Sequence, residues 1–355
     1  MRVHDAYMRP FDNLRIAVTV ECNYKCIFCH VEGEPVTGPV KPGRLSPLLK
    51  AEDYYVIARA ASLLGVSKFK ITGGEPLIRG DIVSIVRELK AGAPDGEISM
   101  TTNGYLLEKL AGPLAEAGLN RVNISIHSLR SKVYEFITGV NGLERALNGL
   151  RAAANQGLRL KVNMVVLKGV NDKEVWNILD LAYRFDAVLQ LIELHPVGMG
   201  AKFFKNYYAP LNTIEKELVR HGAKVVRRKL HNRPVYVLPS GAKIEIVRPY
   251  NNPLFCMGCS RIRVGPFGDL SPCLNWKGPR PSLLPDIREG NLNERILAAA
   301  RKLVEVNKIR RPYVLPKLTN GAETRAGMTH RIARIKMPKK RYYDIILEEL
   351  KRQLL

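Results

Sequence analysis

Along most of this chain, short apolar runs alternate with longer stretches whose apolar residues recur every three or four positions. The first pattern marks strands and the second amphipathic helices. Strands are predicted at residues 14–20, 68–72, 97–102, 121–126, 159–166 and 188–194, with helices at 51–65, 81–91, 106–117, 142–156 and 174–185. Strands that alternate with helices pair in parallel through right-handed crossovers. The expected fold is therefore α/β, a partial (βα)6 TIM-like barrel open on one side. Sites in such folds gather at the C-terminal ends of the strands, which is where Cys22, Gly74, Thr101, Ser125 and His195 fall in this reading.

After Pro196 the rhythm changes. One helix is expected within 207–223, followed by β-leaning stretches at 224–229, 235–238 and 243–247. A soft boundary near residue 245 gives three parts: a barrel at 1–245, a smaller α+β module at 246–315 that caps the barrel mouth, and a basic extension at 316–355. In the extension, Tyr343, Leu347, Leu350 and Leu354 stand at helical spacing. They predict a helix packed on the body or, in a homodimer, on a second subunit.

Composition narrows the classes. The 355 residues are enough for a barrel-sized core and a smaller module. No apolar run reaches the roughly 18–20 residues of a membrane span, and the charged N-terminus is unlike a secretory signal. A cytoplasmic location is expected. The formal charge of +23 suits a polyanionic partner or simply a solvated basic surface. The six cysteines fall into two triplets, 22/26/29 and 256/259/273. Triplets leave a remainder on pairing, so metal binding in a reducing compartment accounts for them better than disulfides.

The first triplet, Cys22-x3-Cys26-x2-Cys29, follows a strand directly and can hold three corners of a 4Fe–4S cluster with the fourth iron open. A structural zinc site completed by His30 is the other reading. One strand and one helix later comes Gly73-Gly74-Glu75-Pro76, whose glycines permit close backbone approach and whose carboxylate suits an ammonium group. The second triplet, Cys256-x2-Cys259-x13-Cys273, again lacks an obvious fourth thiolate, so a second cluster and a zinc site borrowing a histidine both stand. Arg261 and Arg263 alternate on the strand beyond Cys259 and share a face. Two guanidiniums beside an open metal position point to a polyphosphate or another anion. Arg15 alternates within the first strand, and a solvent-facing position suits it equally.

The first triplet and the Gly-Gly-Glu-Pro turn resemble the radical S-adenosylmethionine (SAM) superfamily. The resemblance narrows with both triplet spacings, Asn13-Leu-Arg-Ile16, Ile71-Thr-Gly-Gly-Glu-Pro-Leu77, Thr101-Thr-Asn-Gly104, Lys161-Val-Asn163 and Cys259-Ser-Arg-Ile-Arg263. Across residues 9–313 the chain resembles the archaeal-type GTP 3′,8-cyclase family of molybdenum cofactor biosynthesis. The resemblance implies two 4Fe–4S clusters, on Cys22, Cys26 and Cys29 and on Cys256, Cys259 and Cys273. It implies that Phe28, Gly74, Glu75, Ser125 and His195 line the SAM site. It implies that Arg15, Lys70, Thr101, Lys161, Arg261, Ile262 and Arg263 contact GTP, with Arg261 and Arg263 acting in the reaction itself. The implied chemistry is abstraction of the ribose C3′ hydrogen by a deoxyadenosyl radical, closure onto guanine C8, and reduction by an unidentified electron donor. The implied product passes to cyclic pyranopterin monophosphate synthase.

Some positions depart from the bacterial members. Phe28 replaces a tyrosine, Lys70 an arginine and His195 a methionine; a core histidine is the alternative for His195. Ile126-His127-Ser128 replaces a Leu-Asp pair, and no catalytic role is drawn for His127. The chain ends Lys351-Arg-Gln-Leu-Leu355 in place of a glycine pair. Two rival functions are an auxiliary-cluster radical SAM enzyme acting on tRNA or peptide, and a non-catalytic, zinc-stapled RNA-binding protein. The Gly-Gly-Glu-Pro turn has no task in the second.

Overall fold

The computed structural model describes residues 2–31, 48–310 and 340–354. Six strands follow the predicted rhythm: β1 (Asn13–Ala17), β2 (Lys68–Thr72), β3 (Glu97–Thr102), β4 (Arg121–Ser125), β5 (Arg159–Val166) and β6 (Val188–Glu193). Between them run α1 (Ala51–Leu63), α2 (Ile82–Gly92), α3 (Leu107–Glu116), α4 (Ser131–Thr138), α5 (Leu143–Asn155) and α6 (Val175–Arg184). Beyond β6 come α7 (Met199–Tyr207), α8 (Asn212–Arg220), β7 (Lys224–Arg227), β8 (Pro234–Val237) and β9 (Lys243–Val247). Then follow α9 (Pro253–Met257), β10 (Arg261–Val264), β11 (Leu270–Ser271), α10 (Leu292–Lys308) and α11 (Lys340–Leu354).

All strands join one sheet in the order β11-β10-β1-β2-β3-β4-β5-β6-β9-β8-β7. Pairing is parallel from β10 to β9 and antiparallel at both ends. The sheet curls. β10 and β8 stand eight places apart in that order, roughly 38 Å in a flat sheet at about 4.8 Å per strand. Yet His231, just before β8, donates its backbone N–H to Gly258, just before β10, at 2.6 Å. Asn232 Nδ2 donates to the Leu254 carbonyl in the same seam at 2.8 Å.

Alternation explains why the curl is stable. Leu14, Ile16, Phe69, Ile71, Ile98 and Met100 are fully buried on the face covered by the helices. Their neighbours in sequence, Asn13, Arg15, Lys70 and Ser99, lie on the opposite, inner face. Each helix presents an apolar stripe to that outer layer; α5, for example, buries Leu143, Ala146, Leu150 and Ala153 at spacings of three and four.

The boundary expected near residue 245 falls inside β9, which pairs with β6 on one side and β8 on the other. The segments after β6 extend the same sheet at both edges and are not a separate layer. In the C-terminal extension the described part, α11, packs on the body of the same chain, burying Tyr343, Ile346 and Leu350. The stretch 311–339, with most of the basic tail, and the linker 32–47 lie outside the described residues. Among the described residues no helix is long and apolar enough to cross a membrane.

Candidate active site

The first cysteine loop leaves β1 at the C-terminal end of the parallel strands. Lys25 and Ile27 donate backbone N–H groups to Thr138 and Ile137 at 2.9 and 3.0 Å, which seats the loop on the end of α4. Met199 donates to the Cys29 carbonyl at 2.8 Å. Backbone N–H groups of Tyr24 and Val31 point at the sulfurs of Cys22 and Cys29, each at 3.4 Å. Burial pushes the Cys22 thiol up to about 11 and the Cys26 thiol further; Glu75 and Cys29 raise Cys22 again, and the other two thiols raise Cys26. Three sulfurs that near one another, two receiving N–H groups, fit a cluster whose irons stabilise the thiolates. Among the described residues no Cys, His, Asp and Glu group converges on one ion-sized point.

The Gly73-Gly74 turn lies against the chain itself. A Cβ at Gly74 would overlap the Glu21 carbonyl, and one at Gly73, where φ is +149°, would come within 2.6 Å of the Thr19 carbonyl oxygen. Gly74 and Glu75 donate to those two carbonyls at 2.9 and 2.8 Å. The buried Glu75 carboxylate accepts from Thr102 Oγ1 at 2.6 Å, Asn103 N at 2.7 Å and Leu77 N at 3.0 Å. Burial pushes its carboxyl up to about 7 despite those donors. The turn therefore ties the β2 and β3 ends to the cysteine loop. A Gly74→Ala variant is expected to lower stability by about 1–3 kcal/mol and to depress deoxyadenosine formation with it. Thermal unfolding and single-turnover SAM cleavage check this; an unperturbed value in both would show that the approach is not tight.

Phe28 packs edge-on to His127, ring centroids 4.6 Å apart. His127 is buried, its Nδ1 accepts from Val165 N at 3.2 Å, and burial pushes it down to about 3. It is a neutral core histidine. His195 follows β6, and its Nε2 lies 3.3 Å from Asn275 Oδ1. Its Nδ1 is buried with no hydrogen-bond partner among the described residues. Ser125 ends β4 opposite Asn163.

The second cysteine loop lies at the other end. β10 runs parallel to β1 with Asn13 opposite Arg261, so Cys256 and Cys259, which precede it, sit at the N-terminal end of the parallel strands. Asp12 and Asn13 donate to the Ser260 carbonyl at 3.2 and 3.1 Å, which fixes that position. β11 runs back antiparallel and delivers Cys273 to the same end. Strand polarity thus places the two triplets toward opposite ends of the barrel, while a later part of the same module stays at the C-terminal end, where Leu49, just before α1, donates to the Pro266 carbonyl at 2.9 Å. Asn275 N points at Cys273 Sγ at 3.4 Å, so Asn275 touches both this loop and His195.

Between the triplets the inner face is basic. Arg15 lies opposite Arg263 on one side and Lys70 on the other. Arg15 Nη2 donates to Thr72 Oγ1 at 3.1 Å, and Arg261 Nε to Asn13 Oδ1 at 3.0 Å. Lys70 is buried, its Nζ 3.5 Å from the Met100 carbonyl. Burial holds its ammonium well below the usual lysine range, and Arg121, Arg15, Lys161 and Arg261 add repulsion. Lys161 is also buried and pushed down to about 8, with Glu245 opposing the shift. Thr101 sits on β3 opposite Asn123, which is opposite Lys161. Ile262 departs from this set: its side chain is fully buried on the outer, helix-covered face, away from the flanking arginines.

Sequence reasoning missed the buried Glu245, which pairs with Lys161, with Arg228 at 2.8 Å and with Arg233 at 2.9 Å. Those cations hold its carboxyl down at about 2 against burial. Arg233, just before β8, also reaches Gln190 Oε1 at 3.4 Å. A signal was present in Lys243-Ile-Glu-Ile-Val247, where one acid stands among the apolar residues Ile244, Ile246 and Val247 of a strand.

The model of the Radical SAM superfamily matches residues 16–182, and that of Molybdenum Cofactor Synthesis C matches residues 187–312. A protein of Aeropyrum pernix described as a probable GTP 3′,8-cyclase is 48% identical, with 95% of each chain covered. One of Thermococcus kodakarensis with the same description is 40% identical over 88% of this chain and 99% of its own. Among solved structures, Streptococcus suis SuiB bound to S-adenosylmethionine aligns with a TM-score of 0.57. That alignment is 17% identical and covers 80% of this chain and 66% of the other, a likeness of fold alone. The chain belongs to the GTP 3′,8-cyclase family of the radical SAM superfamily.

Proposed function

We propose that this chain converts GTP to (8S)-3′,8-cyclo-7,8-dihydroguanosine 5′-triphosphate, the first step of molybdenum cofactor biosynthesis, using SAM and two 4Fe–4S clusters. The observation that carries the reading is the basic inner face between two cysteine triplets at opposite barrel ends. Cys22, Cys26 and Cys29 would hold the SAM cluster, with Phe28, Gly74, Glu75, Ser125 and His195 around its ligand. Cys256, Cys259 and Cys273 would hold the second. When bound, the SAM cluster supplies the electron that cleaves SAM into methionine and a carbon radical.

The chain's own residues bind, orient and exclude. Arg15, Lys70, Lys161, Arg261 and Arg263 face one interior, where a triphosphate offers anionic oxygens to the row of cations, of which Lys161 also pairs with Glu245. Thr101 adds a hydroxyl on the same face, and Arg233, held by Glu245, is a further cation. Ile262 has its side chain committed to the core. Enclosure between the two ends keeps water from a reactive carbon centre. The product would pass to cyclic pyranopterin monophosphate synthase; a homodimer is compatible, though α11 already covers its own chain.

The test uses anaerobically reconstituted protein with SAM, GTP and a strong reductant, following deoxyadenosine and GTP by chromatography. Deoxyadenosine together with a cyclised guanosine triphosphate supports the proposal. Deoxyadenosine with intact GTP overturns the substrate, and neither product from iron-loaded protein overturns the enzyme.

A further inference from the structure

Asp5, close to the N-terminus, is fully buried, and its carboxylate is shared by two arginines far apart in sequence. Oδ1 accepts from the backbone of Tyr7 and Arg9, both at 2.9 Å. Oδ2 pairs with Arg9 Nε at 2.7 Å and with Arg310 Nε at 3.5 Å. Both guanidiniums are buried, Arg9 6% exposed and Arg310 3%. Each then reaches the second cysteine loop: Arg9 Nη1 donates to the Cys256 carbonyl at 3.1 Å, and Arg310 Nη2 donates to the Cys259 carbonyl. Arg310 Nη1 also donates to the Pro10 carbonyl at 3.2 Å, closing the group on the segment that carries Asp5.

Two buried guanidiniums, held by one buried carboxylate, thus lie directly on the backbone of two of the three cysteines. Burial of arginine at this depth is costly, and the shared carboxylate and the carbonyl acceptors offset that cost. The first cysteine loop has the opposite neighbour, since the backbone of buried Glu75 donates to Glu21, adjacent to Cys22.

We propose that Asp5, Arg9 and Arg310 are positioning residues for the second cysteine loop, and that the two guanidiniums, lying on the carbonyls of Cys256 and Cys259, raise the reduction potential of the cluster held there. A reduced cluster carries one more negative charge than an oxidised one, so a nearby sealed cation favours reduction. Groups outside the ligand shell commonly tune a metal site in this way. The inference rests on the reading that Cys256, Cys259 and Cys273 hold a cluster. It also assigns a task to the C-terminal helix: Tyr343 Oη donates to the His4 carbonyl at 3.1 Å, and Lys308 lies 4.4 Å over the Tyr343 ring. These contacts hold in place the segment that bears Asp5.

The experiment is a mediated redox titration of anaerobic holoenzyme, followed by electron paramagnetic resonance, with the first cluster as internal reference. Arg9→Met and Arg310→Met should each move the second cluster to more negative potential and leave the first unmoved, and Arg9→Lys should restore most of the shift. Asp5→Asn should move the second cluster the other way, a reversal of sign that simple loosening of the loop does not produce. Unmoved potentials in iron-replete variants, or equal movement of both clusters, would overturn the proposal. Iron and spin for one cluster only in the unaltered holoenzyme would remove the two-cluster reading itself, and the inference with it.

Discussion

An Arg263→Ala variant is expected to lose cyclised product by about a hundredfold or more while still cleaving SAM. Arg263 stands on β10 opposite Arg15 and one alternation beyond Arg261, which Asn13 fixes at 3.0 Å. The strand register therefore makes Arg263 part of a row of cations on the proposed GTP face, level with Arg15 and Lys70. Removing it deletes charge-assisted bonds worth about 1.5–3 kcal/mol. It also loosens the substrate, and small misplacements of reacting atoms cost on the order of a hundredfold. Deoxyadenosine and cyclised product are quantified in the same anaerobic reaction, so the ratio reports coupling directly. Equal loss of both would place Arg263 in support of SAM, and full product would remove it from the site.

The sequence carried the six-unit barrel because each strand repeats one rule, apolar outside and polar inside, and each helix repeats its own. Lys68–Thr72, Glu97–Thr102 and Arg159–Val166 fall at the predicted residues. What escaped has local causes. β9 looked like the start of a new module because nothing in Lys243–Val247 says that its partners are β6 and β8. Helix α10 was missed although Asn291 and Glu294 form a reciprocal cap, with bonds of 3.1 and 2.8 Å, that is visible as Asn-x-x-Glu. Ile262 came with the arginines as an implied GTP contact, and alternation sends its side chain to the other face. The placement of the triplets at opposite ends depends on β10 joining β1 in parallel, a long-range pairing with no local signature. Glu245, Arg233, Asp5, Arg9 and Arg310 come together from distant segments, and only the folded chain makes them neighbours.

Replacing Lys70 by methionine should stabilise the protein without GTP and weaken GTP binding, a pairing of effects that distinguishes a binding lysine from a structural one. Lys70 is buried on β2 with a carbonyl at 3.5 Å as its hydrogen-bond partner and arginines around it. A methionine of similar length keeps the packing and removes the charge, and such exchanges in buried ionic clusters are worth on the order of 1–4 kcal/mol. The pH dependence fixes the sign. Because the folded chain holds Lys70 below the ordinary lysine value of 10.5, the unfolded chain binds the proton more tightly. Stability of the parent therefore rises with pH between the folded value and 10.5, and the penalty is fully present below that window. The advantage of Lys70→Met over the parent should then be largest below the folded value and shrink as pH climbs through the window toward 10.5. GTP affinity should fall about tenfold or more, since the triphosphate loses a desolvated charged partner. Denaturant melts of both proteins across pH, with calorimetric titration of GTP, read the two effects separately. A destabilised variant with unchanged GTP affinity would make Lys70 a structural residue and take it out of the proposed site.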